Sequence, residues 1–142
     1  MQEYFGNQSW ILGASFHLRY EVFVIEQGIL PEVEFDELDT SYHHFLLMDH
    51  HVPVATLRYQ KKSNTCFQPD RFCVAKGYRK QGFGSHLLSL AENKAIEEGL
   101  QESYLVAETT AIDFYQKQGY QVFSEPFLED GLSCVEMKKA LC

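Results

Sequence analysis

Ile11, Ala14, Leu18, Val22 and Ile25 recur at steps of three and four residues, the interval that lines side chains along one face of an α-helix. That helix is expected to end near Gly28 and to lay its apolar stripe on something flat. β-forming residues then fill His43 to Asp49 and Val52 to Gln60, and the Asp49-His50-His51 turn followed by Pro53 predicts a hairpin. A third strand is expected from Phe67 to Val74, with Pro69 near its start, where a missing ladder donor is tolerated. Phe83, Leu87, Ala91 and Ala95 mark a second amphipathic helix, widened by Leu88 and Leu90 and stopped by Gly99 just past Glu98. A short apolar strand follows from Ser103 to Ala107, then a helix through Phe114 to Gln118 that stops at Gly119, then a strand beginning at Tyr120. Thr110 and Asp113 carry the spacing of a capping box at the start of that helix. A last strand is read from Cys134 to Lys138.

No repeat, low-complexity tract or Gly/Ser linker interrupts this order, so one folding unit over residues 1–142 is expected. Apolar residues make up 45% of the chain and aromatics 14%, a balance that suits a packed core and not a disordered tail. A formal net charge of −8 argues against nucleic acid, whose binding needs clustered Lys and Arg. There is no basic-then-apolar start and no apolar run long enough to cross a bilayer, so a cytoplasmic location without a membrane partner is expected. Cys66, Cys73, Cys134 and Cys142 lack the close pairing of a zinc site and read as free thiols, and His43, His44, His50 and His51 have no spacing that fixes a metal geometry. No metal is expected. The acidic run Glu32, Glu34, Asp36, Glu37 and Asp39 reads as a solvated loop.

The richest stretch runs from Arg71 to Ser85 and reads strand, loop, helix. Gly82 and Gly84 lack side chains where the loop enters the helix, so ligand atoms can approach backbone N–H groups that have no partner inside the helix. Those donors and the positive end of the helix dipole suit a pyrophosphate, and Arg79 and Lys80 add charge nearby. The segment is not a nucleoside-triphosphate loop, since no Gly-Lys-Ser/Thr follows, and it lacks the third glycine of a dinucleotide fingerprint.

Arg79-x-x-Gly82-x-Gly84, between a strand and a helix, resembles the acyl-CoA-binding motif of the GNAT superfamily of N-acetyltransferases. Ala111-x-x-Phe114-Tyr115-x-x-x-Gly119-Tyr120 resembles that family's second signature, and Leu18-Arg19-x-x-Val22-Phe23-Val24-x-Glu26-Gln27 with Asp36-Glu37-x-Asp39 looks like its ElaA-like subgroup. The resemblance covers nearly the whole chain. It implies an α/β fold with a central mixed β-sheet and helices on both faces, whose fourth and fifth strands splay apart to admit the pantetheine arm. Backbone groups of Phe72, Cys73 and Val74 would then pair with the pantetheine amides, and N–H groups of Lys80, Gln81, Gly82, Phe83, Gly84 and Ser85 would hold the pyrophosphate. Ala111 and Phe114 would lie beside the CoA thiol, and Tyr115 would be the general acid that protonates it.

The implied activity is transfer of an acetyl group from acetyl-CoA, as co-substrate, to an amine of a small molecule or peptide. An amine with a pKa of about 10.4 is protonated at neutral pH, so a base or a water chain must act before attack. An N–H near Val74 would steady the developing oxyanion, an effect worth on the order of 3 kcal/mol. No covalent enzyme intermediate is required, so Cys73 need not be a nucleophile. Gln68 and Asp70 occupy the stretch where some relatives place a glutamate base, and Glu108, His43 and His44 are the other candidates. The alternative reading is an acyl-CoA-binding regulatory protein without transfer activity. Acceptor choice is assigned to the loops Gly28 to Ser41 and Pro126 to Gly131, where the acidic run favours a cationic acceptor, and strand 134–138 offers an edge for pairing in a homodimer.

Overall fold

The computed structural model describes residues 1–141. Strand β1 (Gln2–Gly6) leads into helix α1 (Ser9–Arg19), which continues as a π-helical segment, Tyr20–Glu26, and a short helix α2 (Pro31–Glu34). The hairpin β2 (His43–Asp49) and β3 (Val52–Tyr59) turns through His50, whose φ is 55°. Next come β4 (Cys66–Phe67), β5 (Asp70–Val74), α3 (Phe83–Glu97), β6 (Glu102–Glu108), α4 (Ile112–Lys117), β7 (Gln121–Val122), β8 (Phe127–Glu129) and β9 (Leu132–Ala140).

The strands form two sheets, ordered β1-β2-β3-β5 and β4-β6-β9-β7, with β8 also paired to β9. All pairings are antiparallel except β4 with β6. The stretch expected as one strand from Phe67 to Val74 divides at Gln68-Pro69: its start pairs with β6, and its end pairs with β3 in the other sheet. Proline cannot donate to a ladder, which makes this a natural crossing point. Counted as a single interrupted strand, it is the fourth and β6 the fifth, and these two part as the family resemblance implies.

Side-chain alternation along β2 sorts the core into two layers. Leu46 and Met48 meet Ile11, Leu18 and Val22 of the first helical run, while Phe45 and Leu47 meet Leu87, Leu88, Ala91 and Ala95 of α3. Helices therefore cover both faces of the first sheet. Each fully buried Leu contributes about 1.5–3 kcal/mol of apolar transfer, so the two layers dominate stability.

Several local expectations change. β1 was not expected from the sequence. The first helical run does not keep one register: a π-helix carries more residues per turn, so Ile25 rotates off the buried face and is 68% exposed. The Thr110–Asp113 capping box does not form, because Thr109–Ala111 is a 3-10 turn and α4 starts at Ile112 without a side-chain cap. Strand 134–138 offers no free edge for a dimer, since β9 is flanked by β6 on one side and by β7 and β8 on the other. Among the described residues no helix is long and apolar enough to cross a membrane.

Candidate active site

Where β5 and β6 part, among the described residues neither has a neighbouring strand on the facing edge. A bulge sharpens the divergence: Arg71 and Phe72 both fall between the pairs Thr56↔Cys73 and Arg58↔Asp70, opposite Leu57 alone. Arg71 takes a φ of 49° there, held by its Nε donating to the Glu34 carbonyl oxygen at 2.9 Å. The gap opens into a cavity of about 860 Å³.

The loop into α3 forms one wall. Lys80 and Gly82 have φ of 63° and 86°, and such alternation turns successive N–H groups toward a common concavity. The first helical bond there is His86 N–H to Gly82 O at 3.0 Å, leaving the N–H groups of the first turn without intrahelical partners. At Gly84 an added Cβ would stand 3.3 Å from Val74 Cγ2, 3.5 Å from Phe72 Cζ and 3.6 Å from Phe114 Cζ. Phe72 and Phe114, at 6.1 Å between centroids, therefore line a slot that depends on the glycine.

Of the residues singled out in the sequence, Phe72, Cys73, Val74, Arg79, Lys80, Gly82, Phe83, Gly84, Ser85, Ala111, Phe114 and Tyr115 all border this cavity. Gln81 does not, and its side-chain amide turns back to the Gly77 carbonyl. The Cys73 side chain points to the α1 layer, and burial pushes its thiol pKa up, which suits packing rather than nucleophilic attack. Arg79 is bound to the protein itself, donating to Val74 O at 3.0 Å and to both carboxylate oxygens of Glu26 at 3.0 and 2.8 Å. Ser85 Oγ donates to Gln118 Oε1 at 3.0 Å and ties the start of α3 to the end of α4.

Tyr115 stands on α4 against Phe114, Tyr120 and Phe72, at centroid distances of 5.1, 5.8 and 6.4 Å. Burial, and then the Glu108 carboxylate, push its pKa well up, so the phenol keeps its proton at neutral pH.

The other side of the cavity holds a feature the sequence reading missed. Arg19 is fully buried, donating to Glu34 Oε2 at 2.8 Å and to Asp39 Oδ1 at 2.7 Å. Arg58, also buried, donates to Asp39 at 3.0 Å, Asp36 at 2.8 Å and both oxygens of Asp70 at 2.9 and 2.8 Å. The acidic run is a solvated loop only at Glu32, Asp36 and Glu37, which are exposed; Glu34 and Asp39 are 4% and 3% exposed because arginines from α1 and β3 neutralise them. The alternation of Arg19 and Arg58 with apolar neighbours was the available signal, since a charge on a buried face needs a partner.

This network also sorts the base candidates. Asp70 is fully engaged by Arg58 and by Gln60 Nε2 at 2.9 Å. His44 is buried at 3.0 Å from Arg19, its pKa pushed down to about 4 by burial and then by that positive charge, while its neighbour His43 stacks on Phe5 outside the cavity. Gln68 and Glu108 border the cavity.

Comparison with known proteins agrees with this architecture. The family model described as "Acetyltransferase (GNAT) domain" matches residues 19–141. The uncharacterized N-acetyltransferase YjcF of Bacillus subtilis is 36% identical over 126 residues, 88% of this chain and 89% of that one. A crystal structure of a putative N-acetyltransferase from Lactobacillus plantarum superposes with a TM-score of 0.94 at 34% identity, covering 99% of this chain and 98% of the other. Escherichia coli ElaA shares the fold, with a TM-score of 0.86 at 24% identity over 97% and 98% of the two chains. The parted strands, the glycine-bearing helix start and the long match together mean that the chain belongs to the GNAT acetyltransferase family.

Proposed function

We propose that the protein is an acetyl-CoA-dependent N-acetyltransferase that moves the acetyl group directly to the amine of a small molecule or peptide. The observation that carries this reading is that one cavity joins a helix start whose first N–H groups lack intrahelical partners, the edges of β5 and β6 where they part, and Tyr115. Acetyl-CoA fits the residues present. Backbone N–H groups of residues 80–85 suit its pyrophosphate, with Lys80 as the cation at hand, the exposed edge of β5 at residues 72–74 suits its pantetheine amides, and the slot over Gly84 suits its narrow arm. Ala111 and Phe114 border the thioester end, and Tyr115 is the group that returns a proton to the departing sulfur. A phenol kept protonated by burial is ready for that role, because the thiolate appears only as the amide forms.

The test is release of free CoA thiol from acetyl-CoA with a panel of primary amines. Tyr115→Phe is expected to lower kcat about 100-fold while leaving KM for acetyl-CoA within about twofold, the size typical of a lost general acid. A variant rate equal to wild type would remove Tyr115 as the acid.

A further inference from the structure

Arg79 stands in the motif that resembles an acyl-CoA seat, yet its guanidinium is committed to the protein. Nε donates to Val74 O at the end of β5, at 3.0 Å, and the two terminal nitrogens fork onto the Glu26 carboxylate at 3.0 and 2.8 Å. A two-pronged pair of this kind fixes direction as well as distance, which a lysine ammonium cannot do. The hydrogen bonds from Arg79 hold the Glu26 carboxyl below its ordinary range, so the pair stays ionised at neutral pH. To turn the same fork on a phosphate, Arg79 would have to leave Glu26 as an unpaired carboxylate on the wall of the cavity that the anion enters.

What Glu26 holds gives the pair its meaning. It is the last residue of the π-helical segment Tyr20–Glu26, just before the chain turns at Gly28, with a φ of 74°, toward α2. The regular ladder breaks up there: the N–H groups of Gln27, Gly28 and Ile29 reach the carbonyls of Val22, Val24 and Phe23 at 3.2, 3.1 and 2.9 Å, so successive bonds span different numbers of residues. Wide windings of this kind are rare and are found mostly at functional sites. Phe23, Glu26, Gln27 and Ile29 all border the cavity, and none of them is needed to hold acetyl-CoA. Among the described residues, Arg79 to Glu26 is the one side-chain bridge between this wall and the loop that leads into α3.

We propose that Arg79 is a positioning residue for the acceptor side of the cavity: through Glu26 it fastens the π-helical wall to the start of the pyrophosphate loop, and it is not itself a phosphate ligand. This rests on the N-acetyltransferase reading and reassigns one residue of the motif. Arg79 and Glu26 act as a unit, so losing either loosens the same wall.

The experiment compares wild type, Arg79→Gln, Glu26→Gln, the double variant and the exchanged pair Arg79→Glu with Glu26→Arg. Hydrogen exchange reads the wall through the amides of Gln27, Gly28 and Ile29. Each single variant is expected to speed their exchange about fivefold, the double variant no further, and the exchanged pair to slow it again. Wild-type exchange rates in both single variants would overturn the proposal. Calorimetric titration with acetyl-CoA at low and high salt reads the other half. Arg79→Gln should bind within about twofold of wild type and with the same salt dependence, since no phosphate contact is lost. A tenfold loss of affinity in Arg79→Gln that Glu26→Gln does not share would make Arg79 a phosphate ligand and overturn the proposal, leaving the N-acetyltransferase reading intact. No binding of acetyl-CoA by the wild type would remove both. With a primary amine that turns over, both single variants should raise KM for the amine about tenfold with KM for acetyl-CoA unchanged, and a rise confined to acetyl-CoA would contradict a role on the acceptor side.

Discussion

Arg19 shows how a single residue can organise one side of a cavity without entering it. Its guanidinium is sealed under α2 and between Phe16 and Phe35, and it ties Glu34 and Asp39 to α1. Removing one partner of such a pair leaves the other charge buried, so Arg19→Met should cost about 3–5 kcal/mol. Urea denaturation measures this, and a loss below about 1 kcal/mol would mean the network contributes little. His44, beside it, makes stability depend on pH. Folded His44 binds its proton only near pH 4, whereas an unfolded histidine does so at its ordinary value of 6.5. The contribution is complete above pH 6.5 and is lost as pH falls toward 4, about 3 kcal/mol in all. Glu34, whose pKa burial raises, offsets part of this by taking up a proton more readily when folded. The difference between wild type and His44→Gln isolates the histidine. It should shrink steadily from pH 7 to 4, and a flat difference would contradict a neutral buried His44. At this scale the glycines, Arg79 and Tyr115 were legible because motif spacing marks them. Glu34 and Asp39 were not, because an acidic run looks the same whether water or a distant arginine neutralises it.

Among the elements, the start of α3 carries the most specific expectation. A side chain at residue 84 would fill the space between Val74, Phe72 and Phe114. Gly84→Leu should therefore abolish the thermal shift produced by acetyl-CoA while the variant keeps the wild-type circular dichroism spectrum. A retained shift would place the ligand elsewhere. Helices and long strands were legible from their periods, and the β2–β3 hairpin from its turn. β1 was missed because five residues, Gln2–Gly6, are too few for alternation to stand out. The division of residues 66–74 between two sheets was hidden for another reason: Pro69 marks a break, but only the sheets reveal that each half has a different partner. The π-helical segment was likewise invisible, since a register change within an apolar stripe leaves the composition unaltered.

On the scale of the molecule, two sheets part around one cavity, with α3 supplying one wall and the arginine network bracing the opposite side. The fold was legible mostly through the motifs, while the buried ion-pair network was not, because Arg19, Glu34, Asp39 and Arg58 meet only once the chain folds. The central claim, that this cavity binds acetyl-CoA, is tested most directly by a thermal-shift titration of the wild-type protein with acetyl-CoA, beside ATP as a control for phosphate binding alone. At a hundredfold excess over Kd, binding to the native state adds about 2.7 kcal/mol of stability. A clear, saturable rise in Tm with acetyl-CoA that ATP does not reproduce is the predicted result, and an unmoved Tm at millimolar acetyl-CoA would contradict the account.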